Sequence, residues 1–244
     1  MTKDKGDGHL AHRIDTYAED MLMSLLSEAD YRGTVFSEEA GVVVLGDDQR
    51  LFATDPYCNT SLTFRGIRES AVTGFEIDEG GAFISAAVAD LQCWRSLVFV
   101  RGVGLSMVWE DGGACPVSLS STQNLADATV VISLMKRHRR SYLQSGVAKE
   151  CGLLLTVDGG IVAARICAGD VDAFLDHKIG QPAYEALPYR LVELAGGTVT
   201  DADGLPVDWE QICSDLRRGV VRRQRLVVAG NRKLHDEMMA RLDE

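Results

Sequence analysis

Apolar residues recur at helical spacing near the start of the chain. Ile14, Ala18, Met21, Leu22, Leu25 and Leu26 share one face of a helix written IDTYAEDMLMSLLSEA. The dozen residues before it are polar and contain glycine, which reads as loop. After it the runs shorten. GTVFSEEAG reads as a short strand that delivers Glu38 and Glu39 to a loop, and GVVVLG and RLFATD read as strands rich in β-branched or aromatic residues. SAVTGFEI, GAFISAAVADL, SLVFVRG and GLSMVW follow, with glycine turns at Gly80-Gly81 and Gly112-Gly113. They predict an antiparallel meander. Beyond Asn124 helices and strands alternate. DATVVISLM and VDAFLD read as strands, VDGGIVAARICAG as a buried helix, and AYEALPYRLVELAGG as a helix closed by Gly196-Gly197. GTVTDADGLPV predicts a hairpin with an Asp-Gly turn, QRLVVAG a final strand, and NRKLHDEMMARL a final helix capped by Asn231. The expected class is α/β, with layered sheets and helices in two joined subdomains, residues 1–120 and 121–244.

The 244 residues suffice for one large domain or two small ones sharing a core. A hydrophobic fraction of 46% is that of a folded globular protein. The net charge of −11 excludes a general nucleic-acid binder, because phosphates would be repelled. It leaves room for a phosphorylated small molecule where a metal ion inverts the local field. The cysteines Cys58, Cys93, Cys115, Cys151, Cys167 and Cys213 show no C-x-x-C spacing, which argues against a zinc cluster. The opening MTKDKGDGHLAHR is polar, unlike a signal peptide, and no apolar run reaches the roughly 20 residues of a membrane span. A cytoplasmic protein with reduced thiols and no membrane partner is expected.

Acids stand at segment ends: Asp15, the pair Glu38-Glu39, and Asp55 in LFATDPYCNTSLTFRG. Carboxylates gathered from separate strand ends are what a Mg²⁺ site needs, since Mg²⁺ takes hard oxygen ligands in an octahedral shell. Spacing alone favours isolated surface acids that cap turns and helices. The basic runs KRHRR (Lys136 to Arg140) and RRGVVRRQR read first as solvated loops, and His12, His138 and His177 have no ligand-like spacing.

SEEAG, then ATDPYCNTSLTFRG, and much later ELAGGTVTDADGLPV resemble the inositol monophosphatase superfamily, most closely its archaeal-type members that accept both inositol monophosphate and fructose bisphosphate. DGHLAHRIDTYAEDM, AAVADL, GGACPVSLSSTQNLADATVVIS and CAGDVDAFLDHK extend the likeness over nearly the whole chain. The resemblance implies an α/β/α/β/α sandwich, a commonly dimeric protein, and a Mg²⁺-dependent phosphomonoesterase. Carried over residue by residue, it implies that Glu38, Asp55 and the backbone carbonyl of Tyr57 bind the ion that activates water. It further implies that Thr60, oriented by Asp15, positions that water, and that Glu39 makes supporting contacts.

The chain also departs from the pattern. Where the family motif reads D-P-I-D-G-T, this sequence reads Asp55-Pro56-Tyr57-Cys58-Asn59-Thr60. Cys58 replaces an acid that holds a second ion. The family's other ligand to that ion falls on Tyr184 by counting back from LAGG, with Glu185 one step away as a substitute. The family's G-S-A-A segment aligns with VDGG and sets Asp158 facing the substrate beside Asn59 and Thr60. The implied function is a phosphomonoesterase on a small sugar, inositol or nucleotide phosphate, with one Mg²⁺ site intact and a second impaired. The alternative is a catalytically inactive or repurposed relative that binds a phosphorylated or sugar-like molecule.

Overall fold

The computed structural model describes residues 3–4, 10–11, 13–63, 69–133, 139–157 and 159–242. Asp158 and the part of the KRHRR run up to His138 lie outside the described residues. In the opening segment, read as loop, β1 (Lys3–Asp4) pairs antiparallel with β2 (Leu10–Ala11). α1 (Arg13–Glu28) follows, then β3 (Thr34–Ser37), β4 (Gly41–Val44), β5 (Leu51–Cys58) and the single turn α2 (Thr60–Thr63). The meander is β6 (Ala71–Ile77), β7 (Phe83–Asp90), β8 (Arg95–Val100), β9 (Gly104–Trp109) and the short β10 (Ala114–Pro116). These strands form one sheet in the order β10-β9-β8-β7-β6-β5-β3-β4, antiparallel except for β3 beside β5. β6 shows why the sequence folds so. Ala71, Thr73, Phe75 and Ile77 are buried and alternate with partly exposed residues, the period of a strand with one face on the core.

The second half runs β11 (Thr129–Ile132), α3 (Arg139–Leu143), α4 (Gly146–Glu150), β12 (Leu153–Leu155), α5 (Ile161–Cys167) and β13 (Ala173–Pro182). It continues with α6 (Ala183–Ala186), α7 (Tyr189–Leu194), β14 (Thr198–Asp201), α8 (Trp209–Arg217), β15 (Arg223–Ala229) and α9 (Arg232–Ala240). The second sheet has the order β12-β11-β13-β15-β14, with β11 parallel to β12 and β13. The hairpin expected in GTVTDADGLPV closes through Asp201 N–H to Leu205 C=O and Gly204 N–H to Asp201 C=O, with Gly204 at φ +79°.

The layers alternate helix, sheet, helix, sheet, helix. Apart from Arg165, which pairs with Glu69, α5 is apolar and buried in a core that includes Val88 and Leu97 of the first sheet, Phe174 and Val228 of the second, and Leu191 and Ile212 of α7 and α8. A second core, with Val130, Leu175 and Val227, is closed by Tyr142 of α3 and by Leu234 and Met238 of α9. On the outer side of the first sheet α1 is held by a hydrogen bond from Ser37 of β3 to Glu19. No helix among the described residues is long and apolar enough to cross a membrane. All six cysteines are free thiols.

Two element expectations are corrected. Of the stripe of Ile14, Ala18, Met21, Leu22, Leu25 and Leu26, α1 fully buries only Leu26 and half-buries Ile14, Ala18 and Leu22. Its buried residues are Asp15, Glu19 and Leu26, and Met21 and Leu25 are exposed. The spacing of Asp15, Glu19 and Leu26 puts them on one face, and polar partners on β3 and α2 turn that face inward. The helix expected over AYEALPYRLVELAGG is broken into α6 and α7 at Leu187-Pro188, where proline has no N–H to continue the ladder.

Candidate active site

The site forms where β5 runs out of pairing. Asp55 lies opposite Thr73 of β6 and Cys58 opposite Ala71, with a register shift between them. Pro56 falls inside this bulge, where its missing N–H costs no ladder bond. Asn59 then takes φ +64°, a left-handed conformation that asparagine tolerates better than most residues, and the chain turns into α2. Asn59 occupies the place of a glycine in the resembled motif, and this backbone conformation accounts for the residue type. Its side chain donates to the Glu69 carbonyl at 2.7 Å.

β3 lies parallel to β5 with Ser37 opposite Thr54, so Glu38 comes next to Asp55, and the Glu38 N–H donates to the Thr54 carbonyl at 3.3 Å. The two carboxyl groups meet and hydrogen-bond. Asp55 is held from below, its N–H donating to Thr73 Oγ1 at 3.0 Å, and its Oδ1 accepts from Tyr57 N–H at 3.1 Å. Burial, and next the charge of Glu38, push the Asp55 carboxyl well above the usual aspartate range.

Thr60 begins α2 and donates its hydroxyl proton to Asp15 of α1. The same hydroxyl lies 3.1 Å from the Tyr57 carbonyl. A hydroxyl has one proton, so once it is given to Asp15 the lone pairs of that carbonyl stay available. α6 supplies the opposite wall. The Tyr184 hydroxyl bonds to Glu38, and its ring stacks on Phe36 with centroids 5.8 Å apart. Burial first, then the charges of Glu38, Glu185 and Asp55, raise the Tyr184 phenol and keep it protonated. Cys58 is buried beside Asp55 and bonds to it. Burial, then the Asp55 charge, hold its thiol well above the usual range, with Glu185 adding to the same effect.

The floor is the glycine pair that opens α5. A Cβ on Gly160 would stand 2.7 Å from Thr73 Cγ2 and 2.9 Å from Pro188 Cγ. One on Gly159, at φ +83°, would meet Asn59 Nδ2 at 3.2 Å. The glycines therefore let α5 seat directly against Cys58 and Asn59. Asp158, expected to face the substrate, lies outside the described residues, and Glu39 is half-buried next to the site. Contacts thus join Asp15, Glu38, Asp55, Tyr57, Cys58, Thr60, Tyr184 and Glu185 into one patch.

Sequence reading missed the supports: Thr73 under Asp55, Glu19 with Ser37, and a chain of hydroxyls in which Ser70 meets Tyr57 at 3.2 Å and Thr63 at 2.9 Å. Of these, only the alternation that turns Thr73 to the same face as Phe75 was visible in the sequence.

Among the described residues no group of three His, Cys, Asp or Glu side chains converges with metal-site spacing. Glu38 and Asp55 bring two carboxyl groups together, Asp55 buried and Glu38 half-buried, a crowding that a divalent ion would relieve, and the Tyr57 carbonyl supplies a further oxygen. Mg²⁺ bound by proteins often uses one or two carboxylates and keeps water and phosphate in its other positions. A neutral thiol, as at Cys58, and a phenol, as at Tyr184, are poor donors to a hard cation.

This layered fold is that of the inositol monophosphatases. The chain is 21% identical to the extragenic suppressor protein SuhB of Bartonella henselae, with a TM-score of 0.77 over 98% of this chain and 88% of that one. It is 16% identical to the inositol monophosphatase of Thermotoga maritima, again with a TM-score of 0.77, over 98% and 86% of the two chains. In sequence it is similar to the fructose-1,6-bisphosphatase/inositol-1-monophosphatase of Methanothermobacter thermautotrophicus, 27% identical over 250 residues, covering 97% of this chain and 85% of that protein. No family model matches the chain.

Proposed function

We propose that the protein is a Mg²⁺-dependent phosphomonoesterase acting on a small sugar, inositol or nucleotide phosphate through one metal site. The observation that carries this reading is the pairing of two units in one patch: Glu38 with Asp55, and Thr60 with Asp15. Glu38, Asp55 and the Tyr57 carbonyl would hold the ion, which supplies Lewis acidity and a lowered pKa for bound water. Because Thr60 gives its proton to the Asp15 carboxylate, its oxygen is left as an acceptor for a water hydrogen. That fixes the direction in which the water's other lone pair points, an orienting effect that requires no proton transfer to Asp15. Asn59 and Thr60 stand at the turn where a phosphate oxygen would be met, and Asp158 is next in sequence to the glycines that abut them.

Cys58 and Tyr184 support the idea that the leaving-group side lacks an ion. A leaving oxygen there would depend on neutral donors, which favours substrates whose leaving group is already a good one. The same two residues favour the second reading, a relative that binds a phosphorylated or sugar-like molecule without turning it over. Phosphate release from a panel of sugar, inositol and nucleotide monophosphates in Mg²⁺ separates the two. The enzyme reading expects release that falls about 100-fold in Thr60→Ala and in Asp55→Asn. Tight binding of a panel member without release by the wild type would establish the binding-protein reading instead.

A further inference from the structure

A hollow lies at one end of the meander, where β7 and β9 finish and β8 begins. It encloses about 290 Å³, at the small end of ligand pockets. Its walls are two tryptophans, Trp94 in the β7–β8 turn and Trp109 at the end of β9. They are 64% and 40% exposed, a large apolar area to leave in water. The turn is built to hold Trp94 there. Trp94 has φ +52°, a conformation that bulky residues seldom adopt, and its carbonyl accepts from Glu110 N–H at 3.1 Å.

Asp90 lines the hollow and is 3% exposed. Its Oδ1 accepts from Gln92 N–H at 2.9 Å and Cys93 N–H at 3.1 Å. Its Oδ2 is buried and has no hydrogen-bond donor among the described residues. The nearest cation is Arg95, whose Nε stands 4.0 Å away, while its guanidinium is engaged by Asp170. Asp90 and Glu110 line the hollow with Arg95 as its one cation, and Asp170 also engages that guanidinium, so the lining is net negative.

We propose that this hollow is a binding site for a small organic ammonium ion, held between the indoles of Trp94 and Trp109 with Asp90 as its counter-charge. Indole faces attract cations, most strongly when the cation is poorly hydrated, as an alkylated ammonium is. Asp90, buried in the wall, acts through its charge rather than by direct contact, and the volume suits a ligand of a few heavy atoms. A saccharide could also stack on the indoles, but it gains nothing from the surplus of negative charge.

Choline is a suitable probe, and its uncharged isostere 3,3-dimethylbutan-1-ol and methyl glucoside are the controls. Binding is read by calorimetry and by quenching of fluorescence, since two of the three tryptophans flank the hollow and Trp209 is buried elsewhere. Saturable choline binding is expected, with neither control binding. Trp94→Asn, a residue suited to positive φ, should weaken it at least about tenfold, and so should Trp109→Leu and Asp90→Asn. Trp94→Asn should leave the melting temperature and the light-scattering mass unchanged. If it does not fold, Trp109→Leu carries the comparison alone. Equal binding of the isostere or the glucoside, absence of choline binding, choline affinity unchanged in the variants, or a change of assembly state in Trp94→Asn would each overturn the assignment.

Discussion

Asp55 carries the largest electrostatic burden in the molecule's candidate site. Its carboxyl is pushed up by burial and by Glu38, so the folded chain without metal prefers it protonated. The consequence for stability has a definite sign. A group whose folded-state pKa is raised contributes stability that is present below its unfolded value and is lost as pH rises through the folded value. The metal-free protein should therefore lose melting temperature as pH rises above the unfolded aspartate value of about 4, and Asp55→Asn should remove most of that loss. Mg²⁺ should restore the wild type at the alkaline end and leave Asp55→Asn unmoved. Differential scanning calorimetry with and without Mg²⁺ checks it, and a pH profile unaltered by Asp55→Asn would exclude this residue as the cause.

The same scale shows what the sequence made legible. Asp15, Glu38 and Asp55 stood out as acids beside apolar runs, although β5 runs past Asp55 to Cys58, and the register of β3 and β5 brings Glu38 to Asp55. Thr60 and Asp15 are 45 positions apart, and only the resemblance linked them before the hydrogen bond was seen. The bond between Ser37 and Glu19 was invisible, because it depends on the rotation of α1 about its axis and the apolar count pointed to another face.

At the scale of elements, strands were the readily legible part. Period-two burial in the meander leaves little choice of face, and a one-residue slip would expose Phe75 and Ile77. Helices were less so. α8 escaped notice although Asp208 caps it, accepting from Gln211 N–H at 2.9 Å, because DWEQICSDLR is dense in polar residues. The α6–α7 break follows from Pro188 and leaves Tyr184 and Glu185 on a one-turn helix at the site.

Caps offer a direct test at this scale. Asn231 Oδ1 accepts from Leu234 N–H at 3.1 Å and so secures α9, which closes the second core. Asn231→Ala should cost about 1 kcal/mol by urea unfolding without altering the site. Ile166→Ala at a fully buried position of α5 should cost about 2–5 kcal/mol, since the cavity opens between two sheets that cannot both collapse into it. A loss below about 1 kcal/mol at Ile166 would mean that α5 packs more loosely than its burial implies.

For the whole molecule, layering places the site between the sheets, with β5 and α2 on one side and α6 and α5 on the other. The net charge of −11 makes an ion there more than a local matter, since a divalent cation lowers the repulsion within an acidic chain. The resemblance to commonly dimeric proteins leads us to expect a homodimer, and light scattering at micromolar concentration should return twice the chain mass. A monomer would refute that expectation without touching the site.

The central claim is that one cation site is intact and that Cys58 and Tyr184 have closed the second. Calorimetric titration with Mg²⁺ tests it most directly. The wild type should bind one ion, and Asp55→Asn should bind none. Cys58→Asp with Tyr184→Asp should bind two, with phosphatase turnover raised on the order of 100-fold, the scale of one electrostatic stabiliser at a developing charge. Two equally tight ions in the wild type that persist in Glu185→Ala would contradict the account.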